Sequence, residues 1–556
     1  MLTIREKLRN LADDVRRTPG RARAIHAMNL SSGLVWELSA RGIQTAALNL
    51  LTGGTNPALI YRIHGQNTPQ KAALIHKDSV TTFAELDSLV DRLAHGLTRR
   101  GVRKGTSFLM LMKNKVELVA LAIAATRIGA SAVSASWRAT GAELAYLVEN
   151  SRARAIVFDH ELADTVLAAD LATVAPSIAR FSVGGRVKGA DLLSELVDAA
   201  PTTKYAPEKG ADDDAAVVIY TSGTTGKPKG AVRKFPKDAF TQACTFISST
   251  PMRADDVHLV TCPLYHSTAF GFLSLSHLLG CTAVIMDEYK PQAFMDAIEK
   301  HKVTTVAIVP TMLQRLLDAG PEVLRSRETR SLRAVFSGGS PLSGQLAAAF
   351  MDELGDVLYN FYGATETGLV TLASPRDLRD APGTIGRTLP GNHIKLLDDS
   401  GHETTGTGEL YVKNDLLVAG YFGDEAATSD SMKDGYFSVG DLARKDRDGR
   451  YFIEGRKRDM IISGGVNVYP AEVEGVLEAH PDVVEVAVVG VPDREWGERV
   501  RAFAVLRPSS TLDEAALKQY AKERLSGAKV PRDIVLLDAL PRNPTGKVLK
   551  RELRDR

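Results

Sequence analysis

Short apolar segments that alternate with helical patterns limit this chain to a fold built on parallel sheets. The alternation begins near residue 65, where residues 80–83 predict a strand and residues 84–100 the helix after it. Residues 107–112 and a helix from Lys115 repeat the unit. Further apolar segments, each bounded by turn or helix signals, are 155–158, 217–220, 258–261, 282–286, 305–309 and 334–336. Strands that alternate with helices form parallel sheets covered by helices, so the sequence predicts an α/β fold.

The pattern changes twice toward the C-terminus. Beyond residue 383 turn residues become frequent, as in 398–401 and 446–449, which predicts hairpins and an antiparallel, barrel-like region. The last hundred or so residues predict another small α/β unit, with helices at 470–480 and 512–525 and strands at 483–489 and 501–506. A chain of 556 residues exceeds what one hydrophobic core supports, about 250–300 residues. We therefore expect a large N-terminal domain of stacked α/β sheets with a barrel-like β region, and a small, mobile C-terminal α+β domain.

Charge and cysteine content exclude several classes of protein. Lys and Arg number 69 against 67 Asp and Glu, a net charge of +2, which does not favour nucleic-acid binding. Cys244, Cys262 and Cys281 are too few for a disulfide framework or a zinc site and indicate buried thiols in a reducing compartment. The most apolar stretch, 116–134, carries two charged residues and predicts a buried helix running into a strand rather than a membrane span. No segment resembles a signal peptide, and the expected location is cytoplasmic.

Residues 1–60 differ from the rest of the chain. They are rich in Arg and Leu and place Leu2, Leu8, Leu11 and Val15 at helical spacing. A basic amphipathic helix can lie on an anionic membrane surface, so peripheral membrane association is one interpretation. A helical arm packed on the body of the protein is the other, and we favour it.

The strongest local signal is residues 220–230, Tyr-Thr-Ser-Gly-Thr-Thr-Gly-Lys-Pro-Lys-Gly, which follow an apolar strand. Glycines allow backbone N–H groups to approach a phosphate closely, while the Thr and Ser hydroxyls and two lysines add donors and positive charge. Lys227 is followed by Pro228, so this is not the common G-x-x-x-x-G-K-[ST] loop. The segment predicts a site for the phosphates of a nucleotide that releases pyrophosphate.

Four more motifs follow in a fixed order: 360–368 (Asn-Phe-Tyr-Gly-Ala-Thr-Glu-Thr-Gly), 435–441 (Gly-Tyr-Phe-Ser-Val-Gly-Asp), 455–459 (Gly-Arg-Lys-Arg-Asp) and 541–547 (Pro-Arg-Asn-Pro-Thr-Gly-Lys). With residues 220–230 they resemble the adenylate-forming (ANL) superfamily, which includes acyl-CoA synthetases, firefly-type luciferases and peptide-synthetase adenylation domains. Within it the chain looks like an AMP-forming fatty acyl-CoA synthetase. The distinctive resemblance covers about 330 residues, weaker similarity reaches back to about residue 65, and residues 1–60 lie outside it.

The resemblance implies a role for each motif residue. Lys547 would be the catalytic lysine of adenylation, because an ammonium offsets the repulsion between a carboxylate and a phosphate. Glu366 and Thr221 would hold Mg²⁺. Tyr362 would stack on adenine, Asn360 would bind its amino group, and Asp441 would bind the ribose. The ATP and AMP site implied in full is Thr221, Ser222, Gly223, Thr224, Thr225, Gly226, Lys229, Gly338, Gly339, Ser340, Asn360, Tyr362, Gly363, Thr365, Asp441 and Arg456.

The resemblance also implies the domain boundaries: a helical arm at 1–60, a large adenylation domain at 61–455, a hinge at 456–458 and a small domain at 459–556. The hinge position is Arg458, where many members carry lysine or aspartate. Ser463, Gly464 and Gly465 would line the tunnel for the pantetheine arm of coenzyme A; nearby, Ile462 stands where many members carry lysine. The expected acyl pocket is His266, Ala269, Gly271 and Gly338, beside the apolar residues Phe270 and Phe272.

The expected reaction is ATP- and Mg²⁺-dependent activation of a medium- to long-chain fatty acid as its acyl-adenylate, followed by thioester formation with coenzyme A. Alternatives stay open: an acyl-AMP ligase that hands the acyl group to a carrier protein, a ligase for aryl or short-chain acids, or a luciferase-like oxygenase. A non-catalytic adenylate-binding module is disfavoured because Thr221, Glu366, Asp441, Arg456 and Lys547 are all present. The expected partners are small molecules; the sequence does not predict an oligomeric state.

Overall fold

The structure is a computed structural model. It describes residues 19–34, 39, 56–207, 216–221, 229–234, 239–414, 417, 429, 431–464, 466–508, 510–525, 527–542 and 548–556. For residues 19–22, 216–221, 229–234 and 239 it describes the backbone alone.

The described helices, numbered along the chain, are α1 (Pro19–Ser32), α2 (Leu59–Asn67), α3 (Phe83–Arg99), α4 (Val116–Ile128), α5 (Gly141–Ser151), α6 (Ala163–Ala168), α7 (Leu171–Val174), α8 (Leu193–Asp198), α9 (Ala239–Ser248), α10 (Ser267–Leu278), α11 (Pro291–His301), α12 (Pro310–Asp318), α13 (Gly320–Leu324), α14 (Gly344–Leu354), α15 (Pro375–Asp380), α16 (Pro470–Glu478), α17 (Glu514–Lys522) and α18 (Lys550–Arg554).

The strands up to residue 388 are β1 (Ala72–His76), β2 (Ser79–Thr82), β3 (Ser107–Leu111), β4 (Ser131–Ala135), β5 (Ala153–Asp159), β6 (Ala179–Val183), β7 (Asp191–Leu192), β8 (Ala216–Thr221), β9 (Lys229–Lys234), β10 (Val257–Val260), β11 (Thr282–Ile285), β12 (Thr305–Ile308), β13 (Ala334–Ser337), β14 (Leu358–Ala364), β15 (Gly368–Ala373) and β16 (Arg387–Thr388). Those that follow are β17 (His393–Leu397), β18 (Gly408–Lys413), β19 (Met432–Lys433), β20 (Tyr436–Lys445), β21 (Tyr451–Arg456), β22 (Ile461–Ser463), β23 (Val466–Val468), β24 (Val483–Asp493), β25 (Gly497–Leu506) and β26 (Asp533–Leu536).

Two large sheets form the first part of the chain. One has seven strands in the order β7-β6-β5-β3-β4-β8-β9, and the other has nine in the order β16-β15-β14-β13-β12-β10-β11-β1-β2. Their interior pairs are parallel, and antiparallel pairs occur only toward the edges, at β8–β9, β1–β2, β14–β15 and β15–β16. Every residue of β12 and β13 is buried, as expected for parallel strands covered on both faces. The predicted α/β fold class is confirmed.

Local signals set the boundaries of these elements. Thr82 caps α3 through a capping box with Glu85, so the helix begins at Phe83 and the predicted strand 80–83 ends one residue earlier. Helix α4 ends at Gly129, whose φ of 82° is the left-handed conformation that favours glycine, and β4 follows at once. The apolar stretch 116–134 is therefore a buried helix and a strand, as predicted. Within the described ranges, no helix is long and apolar enough to cross a membrane.

Two smaller sheets follow. Strands β17–β21 form an antiparallel sheet of five strands, where the barrel-like region was predicted, with the expected turns at 398–401 and 446–449. Strands β22–β26 form a separate five-stranded sheet covered by α16 and α17, around a core of its own. This unit is the predicted small C-terminal α+β domain; the boundaries 61–455, 456–458 and 459–556 stay predictions.

Helix α1 packs against α9. Met28 and Leu34 are buried in one apolar cluster with Phe246 and Ile247, and the Ala254 N–H donates to the Ser32 carbonyl at 2.9 Å. For residues 19–34 the structure therefore agrees with the packed-arm interpretation, whereas residues 1–18 and 40–55 lie outside the described part. Cys244, Cys262 and Cys281 are buried thiols, which confirms their expected role as small apolar residues.

Candidate active site

A cleft of about 2780 Å³ lies where the nine-stranded sheet, the β17–β21 sheet and the small domain meet. The segments that follow β10, β12, β13 and β14 all contribute to its wall. These strands are parallel neighbours, so their carboxyl ends meet at one edge of the sheet, where α/β proteins bind ligands. A typical small-molecule pocket has about 300–1,000 Å³, so this cleft has room for more than one substrate.

Tyr362, Asp441 and Arg456 form a hydrogen-bonded group on one side of the cleft. The Tyr362 hydroxyl donates to Asp441 Oδ2 at 2.7 Å, and Arg456 Nε lies 3.3 Å from Asp441 Oδ1. Pairing of β20 with β21 places Asp441 directly opposite Arg456. Burial, together with the Asp441 charge and hydrogen bond, raises the pKa of Tyr362 well above its ordinary value, so the phenol stays protonated and donates. The Asp441 carboxylate is thereby oriented within the cleft.

Asn360 and Glu366 line the same cleft from β14 and the turn after it. Asn360 is 3% exposed, and its Nδ2 donates to the Thr384 carbonyl at 2.9 Å, which orients the amide. Glu366 is 7% exposed, and the Thr365 hydroxyl beside it lies 3.4 Å from the Ser267 hydroxyl. Gly363 allows close packing here, because a Cβ at that position would lie 2.0 Å from the Gly368 carbonyl oxygen.

The predicted phosphate-binding segment, residues 220–230, is described only at its two ends. Strands β8 and β9 pair antiparallel, with Thr221 opposite Lys229, so the chain returns on itself between these two positions. The predicted ligands Ser222, Gly223, Thr224, Thr225 and Gly226 lie outside the described residues, and so do Lys227, Gly465 and Lys547. Their predicted roles are untested.

The donor set fits a magnesium ion. In the described part of the chain there is no group of three or more His, Cys, Asp or Glu side chains that could hold a metal ion by itself. Mg²⁺ commonly binds one or two carboxylates and completes its shell with water and substrate phosphates. Glu366, a buried carboxylate in the cleft, matches that requirement, with the predicted partner Thr221 on β8.

Only some of the residues of the predicted acyl pocket line the cleft. His266, Phe270, Gly271 and Phe272 line the cleft. Ala269 does not: it is 2% exposed and packs into the core beneath α10, because it lies on the opposite face of that helix.

Gly338 is also absent from the described lining of the cleft. A Cβ at this position would lie 2.5 Å from the Phe361 ring. Its small size therefore serves packing beneath Phe361 and not the acyl pocket. The neighbouring Gly339, Ser340 and Pro341 do line the cleft.

Sequence reasoning missed part of the apolar wall. Gln242, Ala243, Thr245 and Phe246 of α9 line the cleft, as do Leu275, Val309 and Met312. Phe246 packs against Phe272, with ring centroids 5.6 Å apart. Helix α9 follows the predicted phosphate-binding segment closely in the sequence. One side of the helix faces the cleft and the other packs against α1. Both sides carry apolar residues, so the sequence alone did not show which side faces the cleft.

The small domain presents residues on both sides of segment 543–547 to the cleft. Glu474, Glu478, Arg542, Lys550 and Arg554 line it, together with the predicted hinge residue Arg458.

The predicted coenzyme A segment lies elsewhere. Ser463 and Gly464 do not line the cleft; the Gly464 N–H donates to the Trp496 carbonyl at 2.8 Å, and a Cβ on Gly464 would meet the Trp496 ring. The cleft therefore contains predicted nucleotide-binding residues and the residues that flank Lys547 in the sequence. It does not contain the predicted tunnel residues Ser463 and Gly464.

Comparison with known proteins identifies the class. The AMP-binding enzyme family matches residues 61–422, and the AMP-binding enzyme C-terminal domain matches residues 472–547. The chain belongs to the AMP-binding enzymes, the adenylate-forming superfamily that the motifs indicated.

Two relatives and one solved structure illustrate the similarity. A feruloyl-CoA synthase of Amycolatopsis sp is 35% identical over 494 residues, 88% of this chain and 96% of that protein. The long-chain-fatty-acid–CoA ligase FadD13 of Mycobacterium tuberculosis is 31% identical over 475 residues, 85% of this chain and 92% of that protein. ATP-bound MatB from Rhodopseudomonas palustris has a TM-score of 0.81 at 30% identity, covering 90% of this chain and 99% of that one.

These relatives and the two family matches define an adenylate-forming acid–CoA ligase class, whose members use ATP, Mg²⁺ and coenzyme A as a co-substrate. The predicted cofactors are thus confirmed. The relatives act on different acids by their names, so the acid used by this chain is a separate question.

Proposed function

We propose that this protein activates an apolar carboxylic acid and transfers its acyl group to coenzyme A. In the first step a carboxylate oxygen bonds to the α-phosphorus of ATP and pyrophosphate leaves. In the second, the coenzyme A sulfur bonds to the carbonyl carbon and AMP leaves. One observation carries the proposal: the Tyr362–Asp441–Arg456 group and an apolar wall open into the same cleft.

The nucleotide half of the cleft has chemistry suited to ATP. An oriented carboxylate such as Asp441 accepts hydrogen bonds from ribose hydroxyls, and the Tyr362 ring offers a face for adenine. Glu366, with Thr221, would hold the Mg²⁺ that bridges and neutralises the phosphates. Lys547 would bring its ammonium between the carboxylate and the α-phosphate, where it stabilises the charge of the transition state.

For the acid we propose a fatty acid of medium to long chain. Phe246, Phe270, Phe272, Leu275 and Met312 supply an apolar wall along the cleft. Burial of each methylene group contributes about 0.8 kcal/mol, so such a wall favours long alkyl chains. The likeness to FadD13, a long-chain-fatty-acid–CoA ligase by name, supports the same choice.

An oxygen-bearing aromatic acid is the second candidate, and Gln242 favours it. The Gln242 side chain lines the cleft, and its Nε2 is buried without a hydrogen-bond partner among the described residues. An unpaired buried amide costs about 1–3 kcal/mol, which a hydroxyl, methoxy or carbonyl oxygen on the substrate would offset. The likeness to a feruloyl-CoA synthase agrees with this candidate.

In this proposal the small domain takes a different position for each half-reaction by rotating at the hinge, residues 456–458. The surface around Lys550 and Arg542, which flank Lys547, already lines the cleft, as adenylation requires. Rotation at Arg458 would then bring Ser463–Gly465 to the cleft for thioester formation.

A cytoplasmic location, and membrane association through residues 1–60, stay predictions. Vesicle binding that is unchanged on deletion of residues 1–18 would contradict membrane association through those residues.

The test is pyrophosphate release from ATP and Mg²⁺ with acids from C2 to C18, benzoate and a hydroxycinnamate, with and without coenzyme A, for the wild type and Lys547→Ala. Turnover that depends on coenzyme A, rises with chain length and disappears in the variant supports the fatty-acid proposal. Preference for the hydroxycinnamate, lost in Gln242→Leu, selects the second candidate. Acyl-adenylate without use of coenzyme A indicates a carrier-protein ligase, and no turnover with any acid indicates a non-catalytic module.

A further inference from the structure

The segment that carries Lys547 is held at both ends by ion pairs within the small domain. Only five residues separate Arg542 from Val548, and these two positions form an antiparallel bridge. The Leu549 N–H donates to the Pro541 carbonyl at 2.8 Å beside that bridge. The two ends of the segment are therefore held next to each other.

A carboxylate lies at each end. On the C-terminal side, Lys550 Nζ lies 2.6 Å from Glu474 Oε1 of helix α16, and both side chains are largely buried. The same Glu474 oxygen accepts the Val488 N–H at 2.7 Å, which fixes its position against β24. On the N-terminal side, Arg542 pairs with Glu485 of β24.

A third carboxyl group, Glu478 of α16, accepts the Val486 N–H at 3.4 Å and interacts electrostatically with Glu474, Glu485 and Lys550. Burial, with the charges of Glu474 and Glu485 added, raises the pKa of Glu478 to about 8. At neutral pH Glu478 is therefore mostly uncharged and adds little repulsion to the carboxyl groups of the two pairs.

We infer that Glu474 and Glu485 are positioning residues for adenylation: through Lys550 and Arg542 they hold the two residues that flank the Lys547 segment at the cleft. The inference rests on the proposed role of Lys547. All four paired side chains line the cleft, on the surface that the small domain turns toward the nucleotide residues. Loss of either pair frees one end of the segment, and a displacement of about 1 Å at a reacting group can lower the rate ~100-fold.

The same helix offers a matched control. Glu472 of α16 pairs with Lys529 at 2.6 Å, the same distance as Glu474 with Lys550, but Lys529 lies far from residues 541–549 in the sequence and neither partner lines the cleft. A Glu→Gln change at Glu472 removes an equivalent ion pair without touching the ends of the Lys547 segment.

The experiment measures the two half-reactions separately in Glu474→Gln, Glu485→Gln, Lys550→Met and Glu472→Gln. Acid-dependent exchange of pyrophosphate into ATP reports adenylation, and conversion of a supplied acyl-adenylate with coenzyme A reports thioester formation. We expect the first three variants to lose about 10- to 100-fold in the exchange rate, with the ATP KM within about twofold of wild type. Thioester formation and the unfolding midpoint should equal those of the Glu472→Gln control. The double variant Glu474→Gln/Lys550→Met should lose no more of the exchange rate than either single variant.

Each contrary result has a distinct meaning. Equal behaviour of Glu474→Gln and Glu472→Gln, when Lys547→Ala abolishes exchange, refutes the positioning role and leaves the proposed function intact. Equal loss in both half-reactions refutes it as well, because a general structural defect would act on both. Unimpaired exchange in Lys547→Ala overturns the role of the lysine and the inference with it. If Glu474→Gln does not fold, Lys550→Met tests the same pair from the cation side.

Discussion

Replacement of Gly271 tests where the acyl chain lies. Gly271 is in helix α10 and lines the cleft, and no atom lies within 4 Å of a Cβ built at this position. Its backbone is not in the left-handed region, so a side chain introduces no strain. Leucine and alanine favour helices over glycine by about 0.8–1 kcal/mol, and Gly271→Leu should therefore fold at least as stably as the wild type.

The expected effect on activity depends on the length of the acid. A leucine side chain projects four carbon atoms into the cleft and displaces roughly three or four methylene groups of a long acyl chain. At about 0.8 kcal/mol for each methylene, the lost burial is ~3 kcal/mol, which corresponds to a ~100-fold lower kcat/KM. For acids too short to reach Gly271, kcat/KM should not change. Gly271→Ala adds one carbon and should lower kcat/KM less than about tenfold for the longest acids.

The assay is kcat/KM for a series of straight-chain acids with the wild type, Gly271→Ala and Gly271→Leu, with unfolding curves alongside. A break in the series, where the effect of leucine sets in above one chain length, would place the chain along α10. The same loss at every length would refute the reasoning, since leucine would then disturb the reacting end of the substrate. Full activity with the longest acids would show that the chain takes another path.

Three further predictions concern binding and stability. Asp441→Ala should raise the ATP KM by about 100-fold, since hydrogen bonds to a charged group contribute ~1.5–3 kcal/mol each; an unchanged ATP KM in steady-state kinetics would remove the ribose assignment. Gly338→Ala should lower the free energy of unfolding by about 1–3 kcal/mol in urea, because its Cβ would lie 2.5 Å from the Phe361 ring, whereas Gly271→Ala should not. His258 and His277 are buried, and burial lowers their pKa values to about 3 and about 4 from 6.5. The unfolded chain then binds more protons between about pH 4 and pH 6.5, so stability falls as the pH falls through that range, by ~2 kcal/mol per imidazole between pH 7 and pH 5; urea midpoints that do not change with pH would contradict this.

The sequence determined the elements and the chemical class of this protein. Runs of apolar residues predicted most strands and helices to within a few residues, and capping residues such as Thr82 and glycines such as Gly129 set the boundaries locally, because both act over a few neighbouring positions. Motif residues that lie close together in the sequence, such as those in 360–368, likewise predicted the nucleotide site and indicated the family.

Only the tertiary structure decided which side of each element meets the substrate. Ala269 and Gly271 lie two positions apart on α10, yet one packs in the core and the other opens to the cleft. Gln242 and Phe246 form part of the cleft wall because α1 covers the other side of α9. Such facts depend on contacts between residues hundreds of positions apart, and no pattern within a short segment encodes them, because the partners that bury each face are supplied by distant parts of the chain.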